Sequence, residues 1–133
     1  MLKIQLEGAS KRFQYEWVFK NLTLELSQGN SLAVTGSNGS GKSTLLKCLT
    51  GAIPITSGKI DYFLDGKSIE ETDWFTHLTI SAPYMEVPEE FTLVELLKFH
   101  FKFKKPLNGI STTEIIDQLY LTQHTSKPVG QFS

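Results

Sequence analysis

Gly36-Ser37-Asn38-Gly39-Ser40-Gly41-Lys42-Ser43-Thr44 sets a glycine, four free positions, a glycine, a lysine and a hydroxyl residue in order, the spacing of a phosphate-binding P-loop. Before it, Ser31 to Thr35 carries Leu32, Ala33 and Val34 and predicts a short buried strand. After it, Lys42 to Thr50 predicts a helix with Leu45, Leu46 and Leu49 on one face. Strand, glycine loop and helix N-terminus, in that order, hold a polyphosphate. The pattern predicts an α/β chain built on a P-loop NTPase core.

Each residue type in the loop has a physical use. Gly36, Gly39 and Gly41 carry no Cβ, so the backbone can approach phosphates closely and take conformations closed to other residues. The amides from Gly39 to Thr44, with Ser37, Asn38 and Ser40 completing the loop, can form an anion-binding nest at the positive end of a helix. Lys42 would reach the β- and γ-phosphates, where charge develops on phosphoryl transfer, and the Ser43 hydroxyl would ligate Mg²⁺. Thr44 adds a donor toward the α-phosphate. The plain alternative is a glycine-rich strand-to-helix turn with an exposed lysine.

Composition narrows the setting. The chain has 133 residues, 40% of them hydrophobic, and a formal net charge of −1, which gives no reason to expect nucleic acid or an anionic membrane as partner. Cys48 stands alone in the helix after the loop, so no internal disulfide is possible, and a buried inert thiol is expected. His77, His100 and His124 are too scattered for a zinc pattern. Met1-Leu2-Lys3-Ile4 has no leader before it and no apolar run reaches bilayer-spanning length, which predicts a soluble cytoplasmic protein. Lys102, Lys104 and Lys105 form a small basic cluster, read as a solvated helix end.

Alternation at Ile4 and Leu6 predicts an opening strand, and Trp17 to Phe19 and Leu22 to Leu26 predict two more. Ser27 to Asn30 is a turn. Gly51 suits a left-handed residue after the first helix, with Pro54 blocking continuation. Lys59 to Leu64 reads as a strand, and Asp65-Gly66 as a two-residue hairpin turn into Lys67-Ser68-Ile69. Asp61 and Asp65 are read as surface or turn residues of that hairpin. Leu78 to Ala82 predicts a buried strand ending at Pro83. Thr92 to Glu95 is a capping box opening one helix, Pro106-Leu107-Asn108-Gly109 breaks it, and Ser111 to Glu114 is a second capping box, so the stretch from about 92 to 125 is read as helical.

Over essentially its whole length the chain resembles the N-terminal half of an ATP-binding cassette (ABC) ATPase. Ser10-Lys11-Arg12-Phe13 resembles the family segment whose aromatic residue stacks on adenine, which gives Phe13 that role and leaves Tyr15 as second choice. Leu49-Thr50-Gly51 followed by Thr56-Ser57-Gly58-Lys59-Ile60 resembles the family's passage from first helix to next strand, and Phe91 to Leu97 its entry into a helical subdomain. The resemblance implies a P-loop core with an antiparallel β subdomain over 1–91 and the start of an α-helical subdomain over 92–133. It implies ATP and Mg²⁺ as ligands. Its implied partners are a transmembrane permease subunit and a second cassette, on the cytoplasmic face of the membrane.

Two departures qualify this. Matching Pro83 to the family proline puts Tyr84 where the family has a Mg²⁺-sensing glutamine, and a phenol lacks an amide carbonyl. Glu86 is the candidate substitute. Phe132-Ser133 resembles the first two residues of the family signature. The rest of it, the acidic (Walker B) strand, the water-activating glutamate and the switch histidine would follow that point. Residues 1–133 alone are therefore expected to hydrolyse ATP negligibly, to be marginally stable and to associate. Two further functions stay open: a soluble cassette ATPase acting on ribosomes or DNA, and a non-catalytic nucleotide-binding module.

Overall fold

Apolar residues alternate along Leu2–Phe13 (β1), and in the computed structural model this strand is central to a sheet ordered β2-β1-β3-β4, antiparallel throughout. The structure describes residues 1–82 and 85–132. They divide into two compact units, Met1–Ile80 and Ser81–Ser133.

In the first unit β1 turns at Gln14-Tyr15 into β2 (Glu16–Ser27), pairing Ile4 with Leu26, Leu6 with Leu24 and Phe13 with Glu16. The two strands expected around Trp17 and Leu24 are one, with irregular register between Leu6 and Arg12 absorbing the break in alternation. On its other side β1 pairs with β3 (Ser57–Leu64), matching Leu6 to Ile60 and Ile4 to Tyr62. The Asp65-Gly66 turn forms as expected: both residues have positive φ, 50° and 80°, as a tight two-residue hairpin requires. It leads into β4 (Lys67–Ile69).

Helix α1 (Lys42–Leu49) packs on this sheet. Leu6, Ala9 and Leu49 form the buried centre, with Ile4, Phe19, Leu22, Leu24, Leu45, Ile55 and Ile60 around it. Fully burying a leucine such as Leu6 contributes roughly 1.5–3 kcal/mol, and the partly buried residues contribute less. Leu46, expected on the same face, is half exposed, and the adjacent Cys48 is buried instead. Thr50 and Gly51 end the helix, Gly51 at the expected left-handed φ of 72°. Tyr62 is fully buried against Trp74 of the short α2 (Trp74–His77), their ring centroids 4.4 Å apart. Its hydroxyl donates to the Leu49 carbonyl, and burial pushes its pKa up to about 12.

Two expected strands are absent. Ser31 to Thr35 and Leu78 to Ala82 lie outside the sheet and are largely exposed, Val34, Leu78 and Ala82 being intermediate. A parallel core strand needs neighbouring strands and covered faces, and the four-stranded sheet β2-β1-β3-β4 includes neither segment.

In the second unit α3 (Leu93–His100) and α4 (Thr112–Gln118) both start at complete capping boxes. Thr92 Oγ1 accepts from Glu95 N–H at 3.3 Å, while Glu95 Oε2 accepts from Thr92 N–H at 2.9 Å. Ser111 and Glu114 repeat the exchange at 3.2 and 2.7 Å. Leu93 and Ile116 are the buried residues of these helices. As the two boxes and the break between them predict, the stretch holds two short helices, the first ending at His100, ahead of Pro106.

Candidate functional site

Gly41, the residue before α1, takes φ 91° and ψ 7°, a left-handed conformation that L side chains rarely adopt. A Cβ there would lie 2.2 Å from Val18 Cγ1, so β2 packs directly against the loop. The helix ladder opens with Leu45 N–H donating to the Gly41 carbonyl at 2.8 Å, and no side chain caps the first turn. First-turn amides have no acceptor inside their own helix. Those of α1 are therefore available to an anion at the positive end of the helix dipole.

Lys42 bends back across the loop it follows. Its Nζ donates to the Gly36 carbonyl at 2.9 Å and to the Ser37 carbonyl at 2.7 Å. Both acceptors are neutral, and a phosphate oxygen is the stronger partner for an ammonium. A cavity of about 400 Å³ opens here, lined by Phe13, Val18, Asn38, Gly39 and the run Gly41 to Thr44. Beside it lies one of about 260 Å³, bordered by Glu16, Trp17 and Ser40 as well as Phe13, Val18 and Gly39. The shared residues make one cleft, running from the phosphate loop to the β1–β2 hairpin end.

The structure thus brings Phe13 of β1 to the same cleft as the loop, although 25 positions separate Phe13 from Asn38 in sequence. Gly36 and Ser37 join through Lys42, and Ser40 borders the adjoining hollow. Tyr15 does not line the cleft and is 93% exposed at the hairpin tip. Glu86 is exposed in the second unit, and Tyr84 lies outside the described residues. Sequence reasoning missed Val18 and Trp17 as walls. The available signal was the pairing of Ser10–Phe13 with the strand after Gln14-Tyr15, which sets Arg12 opposite Trp17.

Charge is arranged around these rings. Lys11 Nζ lies 4.7 Å from the Phe13 ring centroid, and Arg12 and Lys20 flank Trp17 at 5.2 and 4.9 Å. Burial raises the Cys48 thiol pKa, with the Lys11 ammonium pulling the other way, so the cysteine stays a packed thiol. Among the described residues no group of three or more His, Cys, Asp and Glu side chains could hold a metal ion. A divalent cation in this cleft would be held by the exposed Ser43 hydroxyl together with phosphate oxygens and water.

Residues 19–132 match the family described as ABC transporter, and the chain belongs to that family. It is 30% identical over 133 residues to the uncharacterized ABC transporter ATP-binding protein YcbN of Bacillus subtilis (strain 168), across 98% of this chain and 42% of that protein. It is 28% identical over 133 residues to the phosphonates import ATP-binding protein PhnC 2 of Oceanobacillus iheyensis, across 87% of this chain and 52% of that one. The chain therefore spans about half the length of these relatives. Among solved structures, a putative ABC transporter ATP-binding protein from Pyrococcus furiosus superposes over 98% of this chain and 63% of its own, with TM-score 0.73 and 24% identity. The ATP-binding subunit of another ABC transporter superposes over 98% and 55%, with TM-score 0.77 and 22% identity. The fold is the α/β fold of these ATPase domains.

Proposed function

We propose that this chain binds ATP with Mg²⁺ in the cleft between Phe13 and the Gly36–Thr44 loop, and that the complete protein hydrolyses ATP to drive a solute through a partner permease. The observation carrying the proposal is the Lys42 ammonium arched over the loop at an uncapped helix start, beside a cavity that also reaches an exposed aromatic ring. Phe13 takes the base by stacking, worth roughly 1–3 kcal/mol in other base-binding sites. The amides from Gly39 to Thr44 and the Lys42 ammonium hold the phosphates, with Gly36, Ser37, Asn38 and Ser40 shaping the loop. Ser43 would supply one ligand to Mg²⁺, whose chemistry there would be to offset phosphate charge.

Within this reading, residues 1–91 form the P-loop core with its antiparallel subdomain, and 92–133 begin a helical subdomain. The partners are a transmembrane permease and a second cassette, and the site of action is the cytoplasmic face of the membrane. Relatives named for phosphonate and ribose import support the transport assignment. Among the described residues no helix is long and apolar enough to cross a membrane. Tyr84, standing where the family has glutamine, favours a second reading, a nucleotide-binding module without turnover.

Titration of the chain with a fluorescent ATP analogue and Mg²⁺ tests the site. Lys42→Ala is expected to weaken binding at least about tenfold, since hydrogen bonds to charged groups contribute roughly 1.5–3 kcal/mol. Equal affinity in wild type and variant would overturn the assignment. Single-turnover ATP hydrolysis by the full-length protein separates the ATPase from the silent binder.

A further inference from the structure

Lysine is almost never buried without a partner, yet Lys11 is only 7% exposed. Its Nζ donates to the Pro54 carbonyl at 2.6 Å and also lies 4.7 Å from the Phe13 ring centroid. Pro54 belongs to the segment leaving α1, the helix that opens at the phosphate loop. Around this clasp the strand is stitched to the same segment. Thr56 N–H donates to the Ser10 carbonyl at 2.8 Å, and Arg12 N–H donates to Thr56 Oγ1 at 2.9 Å. Phe13 itself is 49% exposed and borders both halves of the cleft.

We infer that Lys11 is a positioning residue for the nucleobase: it pins the Phe13 ring at a set distance from the phosphate loop and prepares the ring for stacking. This rests on the nucleotide reading of the cleft. The attraction of an ammonium for a ring face restrains the ring, and the Pro54 carbonyl anchors the ammonium to the chain leaving α1. The second effect is electronic. Two stacked π faces oppose each other through their negative quadrupoles. A cation near one face of Phe13 draws density toward itself and makes the ring a better platform for an electron-rich purine. Lys11 touches no phosphate in this role, so its influence falls on the base alone.

Competition titrations with ATP and with inorganic tripolyphosphate, which has no base, separate the two halves of the cleft. Lys11→Met is expected to weaken ATP about three- to tenfold, the range of a partly desolvated cation–π contact, and to leave tripolyphosphate unchanged. Phe13→Ala should weaken ATP at least as much, and the double variant no further, because Lys11 acts through the ring. Lys11→Arg, which keeps a cation and a donor, should recover most of the affinity and guards against a folding defect in Lys11→Met. Equal losses for ATP and tripolyphosphate in both Lys11 variants would overturn the inference, as would additive losses in the double variant. A wild-type chain binding neither ligand would overturn the nucleotide reading and this inference with it. Normal tripolyphosphate binding with ATP indifferent to Phe13→Ala would overturn the base platform while leaving the phosphate site standing.

Discussion

Gly41 and Gly58 both sit at positive φ, but different neighbours hold them there. At Gly41 a Cβ would meet a γ-methyl of Val18, 2.2 Å away. At Gly58 it would meet the backbone of Gly8, whose carbonyl oxygen is 2.3 Å away. A side chain can rotate, whereas a paired strand cannot. Gly41→Ala is expected to cost about 1–3 kcal/mol in chemical denaturation, combining an unfavourable φ with the clash. Adding Val18→Ala should recover the steric part and leave the φ part. Losses that simply add across Gly41→Ala, Val18→Ala and the double variant would show that β2 does not bear on the loop.

At the level of elements, α3 and α4 owe their start points to local chemistry. The Glu95 carboxyl is held below the usual carboxylate range by hydrogen bonds first from the Thr92 backbone and then from its side chain. Glu114 is lowered by the Ser111 side chain first and its backbone second. A depressed pKa means that the capping contribution is complete above the ordinary value of 4.5 and is lost as pH falls through the lowered one. Acid titration followed by helical circular dichroism should show loss of helix below about pH 4.5. Glu95→Gln with Glu114→Gln, which keeps the capping geometry but removes the titrating groups, should abolish that acid-side change, whereas Thr92→Ala or Ser111→Ala deletes the side-chain cap itself. Each cap deletion is expected to cost about 1 kcal/mol at neutral pH. These two starts were legible in sequence because a capping box spans four residues and needs nothing else. The same locality made the Asp65-Gly66 turn and the Gly51 helix stop readable.

Across the whole molecule, apolar surface is left uncovered. Leu2, Ile4, Leu26, Leu32, Val34, Leu46 and Leu49 border a groove of about 290 Å³ in the first unit, with Leu32 45% and Leu46 50% exposed. Such surface drives association at micromolar concentrations. The 133-residue chain is expected to sediment as a concentration-dependent mixture, and Leu32→Glu with Leu46→Glu should shift it toward monomer. A monomeric wild type at all concentrations would contradict this. The groove lies where Ser31 to Thr35 was expected to be a buried strand. Apolar composition there signalled burial correctly as a tendency, but a strand forms only when other strands pair with it.

By itself the sequence determined what depends on neighbours along the chain: the glycine loop and its lysine, the helix start, the hairpin turn and the caps. Backbone conformation and short-range hydrogen bonds are set within a few residues, so they can be read from spacing. Tertiary structure alone decided which distant residues meet. It brought Phe13 to the phosphate loop, pressed Val18 against Gly41 and closed Lys11 between a ring and the Pro54 carbonyl. It also left Ser31 to Thr35 unpaired. The physical reason is that strand pairing and burial depend on segments remote in sequence, whose approach no local pattern specifies.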